Sequence, residues 1–84
     1  MQIIQILKRF FTDELVPQIR FGALDEKQSL LETGILDSLR MMKLVAFIEN
    51  EFKIEIGDED LIPSNFETLS SITELISSNI EQIS

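Results

Sequence analysis

Apolar side chains recur at helical spacing in the middle of the chain. Within residues 39–52, five of them fall inside an arc of about 100° on a helical projection: Met41, Leu44, Val45, Ile48 and Phe52. Charged and amide side chains occupy the other faces, and this stretch contains neither glycine nor proline. The pattern predicts an amphipathic central helix from Leu39 to Phe52 that packs one face against a core.

The same spacing predicts a helix at each end of the chain. Residues 3–16 carry an apolar face, and Pro17 either ends this helix or lets a kinked turn continue to Ile19 or Arg20. The last helix begins after Thr68, a residue that suits an N-cap. Its apolar face consists of Leu69, Ile72, Ile76, Ile80 and Ile83.

The segments between the helices differ in length and in pattern. Residues 21–36 form a long loop whose leucines and isoleucine are expected to be buried, with one helical turn near residues 27–32. Residues 53–56 alternate like a strand but lack a pairing partner, so we expect an extended connector that buries Ile54 and Ile56. A short helical turn follows over residues 58–62, and Pro63 stops it.

These elements predict an all-α fold within a single domain spanning residues 1–84. The expected architecture is a small bundle of three main helices plus one short helix, with a long first loop. Because 84 residues enclose a modest core, only one domain is expected.

The composition narrows the possible chemistry. The chain contains no cysteine and no histidine, so it has no disulfide framework, no Ser–His or Cys–His catalytic pair and none of the usual zinc ligands. Asp58 and Asp60 suggest a calcium loop, but the last ligand position of that motif falls on Leu69. We therefore expect no metal site and no enzymatic activity from the bare chain.

The net charge of −8 is concentrated in the second half of the chain. Such a surface repels phosphate backbones and anionic lipids, which argues against nucleic acid and membrane surfaces as partners. The acidity serves either solubility alone or attraction to basic patches on partner enzymes. No targeting segment or membrane-spanning run is apparent, so a cytoplasmic location and a monomer are expected.

Ser38 stands where the long loop meets the central helix. Asp37 suits the N-cap, which places Ser38 at the first helical position, where the helix dipole favours negative charge. Taken alone, Ser38 reads as an ordinary helix-start serine. Since Asp37 already supplies the cap, the hydroxyl of Ser38 is also a candidate for modification.

The sequence around Ser38 resembles the acyl carrier protein family. Asp37-Ser38-Leu39 matches the Asp-Ser-Leu motif of these carriers, residues 30–36 (LLETGIL) match the approach to it, and residues 47–56 (FIENEFKIEI) match the segment that follows. The resemblance runs from about Leu30 to the C-terminus. It implies that Ser38 carries 4′-phosphopantetheine as a phosphodiester, that the thiol of this arm holds a thioester, and that Asp37 contacts the modifying enzyme.

The resemblance also implies a set of partners. These are a phosphopantetheinyl transferase, an acyl or aminoacyl ligase or transferase, and downstream enzymes of fatty-acid, polyketide or related biosynthesis. One alternative is an aminoacyl or peptidyl carrier of a non-ribosomal-peptide-type pathway. A more distant alternative is an unmodified helical adaptor.

A second, narrower apolar stripe begins beside Ser38. Leu39, Met42 and Ala46 either pack against the short helix over residues 58–62, or form a docking patch or the mouth of a groove for the acyl chain. Arg40 and Lys43 stand where fatty-acid carriers are acidic, which argues against docking on the basic patch of fatty-acid synthesis enzymes. The expected docking residues are Arg40, Met42, Lys43 and Ala46.

Overall fold

The computed structural model describes residues 3–16 and 24–83, with the backbone alone for residues 81–83. The described part is helical and contains no strand, which confirms the predicted all-α fold. Its main elements are α1 (Ile3–Phe10), continued by a π-helical segment (Phe11–Leu15), then α2 (Ser38–Phe52) and α3 (Leu69–Ile83). Two short 3-10 helices, Asp58–Asp60 and Pro63–Phe66, lie between α2 and α3.

The first predicted helix is present, but its second half is wound more widely than an α-helix. The N–H of Val16 donates to the carbonyl of Phe11 across 2.7 Å, which is the hydrogen bond of a π-turn. The hydroxyl of Thr12 also donates to the carbonyl of Lys8 at 3.1 Å, a local bond that bends helices. Phe11 and Leu15 are both buried, so the wider turn keeps both on the core side. The predicted turn over residues 17–20 lies outside the described residues.

The central helix α2 begins one residue earlier than predicted, at Ser38. The predicted core stripe is confirmed, because Leu44, Ile48 and Phe52 are buried and Met41 and Val45 pack beside them. The helix ends at Lys53, whose backbone adopts the left-handed conformation (φ 56°, ψ 45°) common at helix C-termini. The face of α2 opposite this stripe is left to solvent.

The last helix, α3, begins where the sequence predicted. The hydroxyl of Thr68 accepts a hydrogen bond from the N–H of Ser71 at 3.0 Å, which confirms Thr68 as the cap. α3 packs against α1 and against the second 3-10 helix. Its described core residues are Leu69, Ile72, Leu75 and Ile76, with Ile80 half-buried beside them. The side chain of Ile83 lies outside the described part.

The long first loop is held against the start of α3 by hydrogen bonds over a large sequence separation. The N–H of Leu30 donates to the carbonyl of Glu67 at 2.7 Å, and the hydroxyl of Ser29 donates to the carboxylate of Glu67 at 2.8 Å. The N–H of Ser70 donates to the carbonyl of Glu26 at 3.1 Å. Residues 21–23 lie outside the described part.

The predicted burial of this loop is confirmed for its described residues. Leu24, Leu30, Ile35 and Leu36 are buried, and Leu31 is half-buried against them. In place of a helix near residues 27–32, the structure has a single turn, in which the N–H of Thr33 donates to the carbonyl of Ser29 at 3.3 Å.

The segment between α2 and α3 corrects one prediction. Ile54 and Ile56 are buried in an extended connector, as expected, and the N–H of Ile56 donates to the carboxylate of Glu49 at 2.9 Å. The prediction that Pro63 only stops a helix is wrong. Pro63 opens the second 3-10 helix, since its fixed φ suits a first helical position, and this helix buries Phe66 completely.

We expect Gly34→Ala to lower the free energy of unfolding by about 1–2 kcal/mol, measured by urea denaturation. Gly34 has a φ of +79°, a region that residues with a Cβ adopt at a cost, and an added Cβ would meet no atom within 4 Å. The loss would therefore come from the backbone conformation alone.

The matched control is Gly57→Ala. Gly57 has an ordinary φ of −73°, and its added Cβ would meet the flexible carboxylate of Glu59, which can move aside. This variant should stay within about 0.5 kcal/mol of the parent. Equal effects of the two substitutions would contradict the argument.

Candidate functional site

Ser38 occupies the first position of α2 and is exposed to solvent. Asp37 precedes it in an extended conformation, and its carboxylate accepts a hydrogen bond from the N–H of Arg40 at 2.8 Å. The hydroxyl of Ser38 makes no hydrogen bond to any part of the chain that the structure describes. The predicted capping geometry is thus confirmed, and an open hydroxyl lies at the positive end of the helix dipole.

The loop that leads into Ser38 is anchored immediately before it. Ile35 and Leu36 are buried, and the N–H of Leu36 donates to the carbonyl of Leu30 across 2.9 Å. Gly34 makes the turn that precedes them with its positive φ. Within three residues the chain passes from a buried leucine to an exposed serine, so Ser38 is presented from a fixed support.

The structure places Arg40 differently from the solvated position that its helical angle predicted. Its side chain folds back onto the loop, and its Nη1 donates to the carbonyl oxygens of Gly34 at 3.2 Å and Ile35 at 3.5 Å. The same nitrogen lies 3.8 Å from the carboxylate of Asp37. The sequence signal for this contact is the spacing of Asp37 and Arg40, an i,i+3 pair of opposite charges.

The second apolar stripe of α2 is open to solvent. Leu39 is 63% exposed and Met42 is 71% exposed, which is high for large apolar side chains. Lys43 and Ala46 are exposed on the same side of the helix. Their exposure excludes the alternative in which Leu39 and Met42 pack against the 58–62 segment. We call Leu39, Met42, Lys43 and Ala46 the docking face.

Two more apolar side chains are exposed in the segment before α3. Leu61 is 43% exposed and Ile62 is 45% exposed, and they join the two 3-10 helices. Sequence reasoning placed this segment in a short helix and assigned its apolar residues no role in a site. The exposed apolar surface of the described residues is therefore concentrated in α2 and in this connection.

A cleft of about 450 Å³ opens between the first helical stretch and α2. The rings of Phe10 and Phe47 stack there with centroids 4.0 Å apart, and Ile6, Arg9 and Glu51 complete much of the lining. Leu39, Met42 and Ala46 do not line this cleft, so it does not provide the groove mouth considered for them.

Two searches of the described residues gave no candidates. No group of three acidic side chains is placed to hold a metal ion in the part of the chain that the structure describes. Over the same residues, no helix has the length and the hydrophobicity needed to cross a membrane.

Comparison with known proteins agrees with this geometry. Residues 14–76 match the family described as "Phosphopantetheine attachment site" (PP-binding). The chain is 38% identical over 53 residues to the "Probable acyl carrier protein PigG" of Serratia sp. (strain ATCC 39006). That match covers 63% of this chain and 61% of the relative's own length.

Two solved structures share the fold. A chain from the structure titled "Crystal structure of FAD-dependent dehydrogenase" is 33% identical, with a TM-score of 0.75, and the match covers 83% of this chain and 97% of that one. The chain titled "Structure of KstB-PCP(apo)" is 25% identical, with a TM-score of 0.76, and the match covers 93% of this chain and 86% of that one.

The family match covers more than half of the chain, and an exposed serine stands at the start of α2 within the matched region. The relative and the neighbours agree on the class of protein. The chain therefore belongs to the phosphopantetheine-attachment-site family, as an acyl or peptidyl carrier protein whose cofactor is 4′-phosphopantetheine.

Proposed function

We propose that Ser38 is the attachment residue and that the chain carries acyl groups between biosynthetic enzymes. The observation that supports this most is the exposed Ser38 hydroxyl at the first position of α2, inside the matched region. The attached phosphopantetheine arm supplies a thiol that holds cargo as a thioester. Coenzyme A, its source, is a cytoplasmic metabolite, which makes the cytoplasm the expected location.

The surroundings of Ser38 fit a phosphodiester. The first turn of a helix carries unpaired N–H groups and the positive end of the dipole, both of which favour a negatively charged group. Asp37 uses its carboxylate on the N–H of Arg40, so the cap does not engage the hydroxyl that must react. The side chain of Ser38 points from a buried anchor into solvent, where a transferase can reach it.

The chain itself is proposed to tether and dock without catalysing a reaction. It contains no histidine or cysteine that could act as a general base or a nucleophile. The modifying transferase must therefore activate Ser38 with its own groups. Tethering would then raise the effective concentration of cargo at each partner enzyme.

Incubation with coenzyme A and a broad-specificity phosphopantetheinyl transferase should raise the intact mass by one phosphopantetheine group. Ser38→Ala should abolish the increase, while Ser64→Ala should leave it intact. Ser64 is the matched control because it is also exposed and also lies in the first turn of a short helix. An unshifted parent mass, or a shift that survives Ser38→Ala, would overturn the proposal and favour the helical adaptor.

We further propose that partner enzymes bind the docking face. Leu39 and Met42 offer exposed apolar area, and Lys43 makes no bond to the described residues and adds a positive charge within an otherwise acidic chain. A patch that combines exposed large apolar groups with a charge on its rim is typical of a transient protein interface. Arg40, whose guanidinium is bound to the loop, contributes less to this surface than the sequence predicted.

The docking face is testable with the same transferase as the probe. Lys43→Glu should lower kcat/KM for modification several-fold at low salt and approach the parent value at high salt, since surface charges are screened. Met42→Gln should lower it at both salt concentrations, because the lost contact is apolar. Lys27→Glu, which reverses an exposed charge in the loop, should have little effect. Three equal effects would refute the docking assignment.

The runner-up is an aminoacyl or peptidyl carrier, and one neighbour favours it, since its title contains the label PCP. The two cargo classes are separated by presenting the modified protein to fatty-acyl and amino-acid ligases and reading the intact mass. Loading with a fatty acyl group supports the acyl carrier, whereas loading with an amino acid alone supports the runner-up.

The other neighbour bears on the partner. Its matched chain is nearly covered by a chain of this size, although its title names an FAD-dependent dehydrogenase. We therefore propose such a flavoenzyme as one partner class. It would remove two hydrogens from the cargo, and its own FAD would take up the two electrons. It would bind at the docking face, so Met42→Gln should weaken that interaction too.

A further inference from the structure

Arg40 joins the end of the long loop to the first turn of α2. A single nitrogen, Nη1, donates to the carbonyl oxygens of Gly34 and Ile35 at 3.2 and 3.5 Å and lies 3.8 Å from the Asp37 carboxylate. The side chain is only 30% exposed. One cation thus contacts three of the four residues that immediately precede Ser38.

Helix preference does not explain a cation at this position. A positive charge in the first turn opposes the helix dipole, which favours anions there. The cost is offset by the carboxylate of Asp37 and by the two carbonyl oxygens. In the described part of the chain, those two oxygens accept no hydrogen bond from another backbone group. Arg40 therefore satisfies acceptors that the turn at Gly34 leaves open.

We propose that Arg40 is a positioning residue for the modification of Ser38. It holds the Gly34–Asp37 segment against α2 and thereby fixes the direction in which Ser38 meets the transferase. This inference rests on the proposed modification of Ser38. Arg40 acts through Asp37 and the loop, whereas the reacting hydroxyl belongs to Ser38.

Lys43 provides a contrast on the same helix. Its ammonium group is exposed and contacts none of the described residues, so its charge is available to a partner. Arg40 spends its donors on the loop. The two cations of α2 therefore have separate roles: Arg40 orders the loop, and Lys43 attracts the partner. The same substitution at the two positions should give different kinetic signatures.

The test compares Arg40→Met, Lys43→Met and Lys27→Met, which each remove one positive charge and keep an unbranched side chain. Modification by the transferase is followed at saturating coenzyme A, at low and high salt, well below the unfolding temperature of each variant. Amide hydrogen exchange is followed at Leu36 and Arg40, whose N–H groups are bonded in the loop and cap, and at Ile72 in α3.

For Arg40→Met we expect kcat/KM to fall on the order of five-fold at both salt concentrations, the factor that about 1 kcal/mol gives. Exchange should accelerate at Leu36 and Arg40 while Ile72 stays protected. Lys43→Met should instead raise KM at low salt only and leave exchange unchanged. Lys27→Met should match the parent in every measurement.

The outcomes are distinguishable. If the parent chain is not modified at Ser38, the proposed function itself fails. If the parent is modified and Arg40→Met keeps the parent kcat/KM, the positioning role is refuted, even if the variant is less stable. A salt-dependent loss in Arg40→Met with unchanged exchange would also refute it, since that pattern indicates a docking charge.

Discussion

The change from a buried to an exposed chain between Leu36 and Ser38 is the constraint on which the site depends. The side chain of Leu36 is in the core and its N–H is bonded to Leu30, while Ser38 faces solvent two residues later. Asp37 makes this change possible, because it caps α2 and so starts the helix at the surface. The loop would otherwise present Ser38 without a defined direction.

The rest of the fold supports this junction from behind. The loop is bonded to the start of α3 through Glu67 and Ser70, and α3 packs on α1, so the support reaches across the bundle. The core stripe of α2 is buried in the same bundle. With one side of α2 fixed, the opposite side is left to carry exposed apolar groups, which a small domain keeps uncovered only at some cost in solubility. The surrounding acidity offsets that cost.

The sequence predicted the parts of this arrangement that follow from local patterns. Helical periodicity located α2 and α3, and the properties of Asp37 and Thr68 located their caps. The bond between Leu30 and Glu67 was not predictable, because no sequence pattern connects residues so far apart. The contacts of Arg40 were missed for a different reason: helical angle places its Cβ, but a long side chain can fold back to acceptors on a loop. Pro63 was read as a helix stop although the same fixed φ suits a helix start.

The central claim is that Ser38 bears the arm, and the protein from its own cell tests this most directly. The purified chain should be cleaved and its peptides fragmented in the mass spectrometer, so that the modified residue is located. The account predicts one phosphopantetheine group on the peptide that contains Ser38, with or without cargo. A chain that is unmodified in the cell, or that carries the group on another serine, would contradict it.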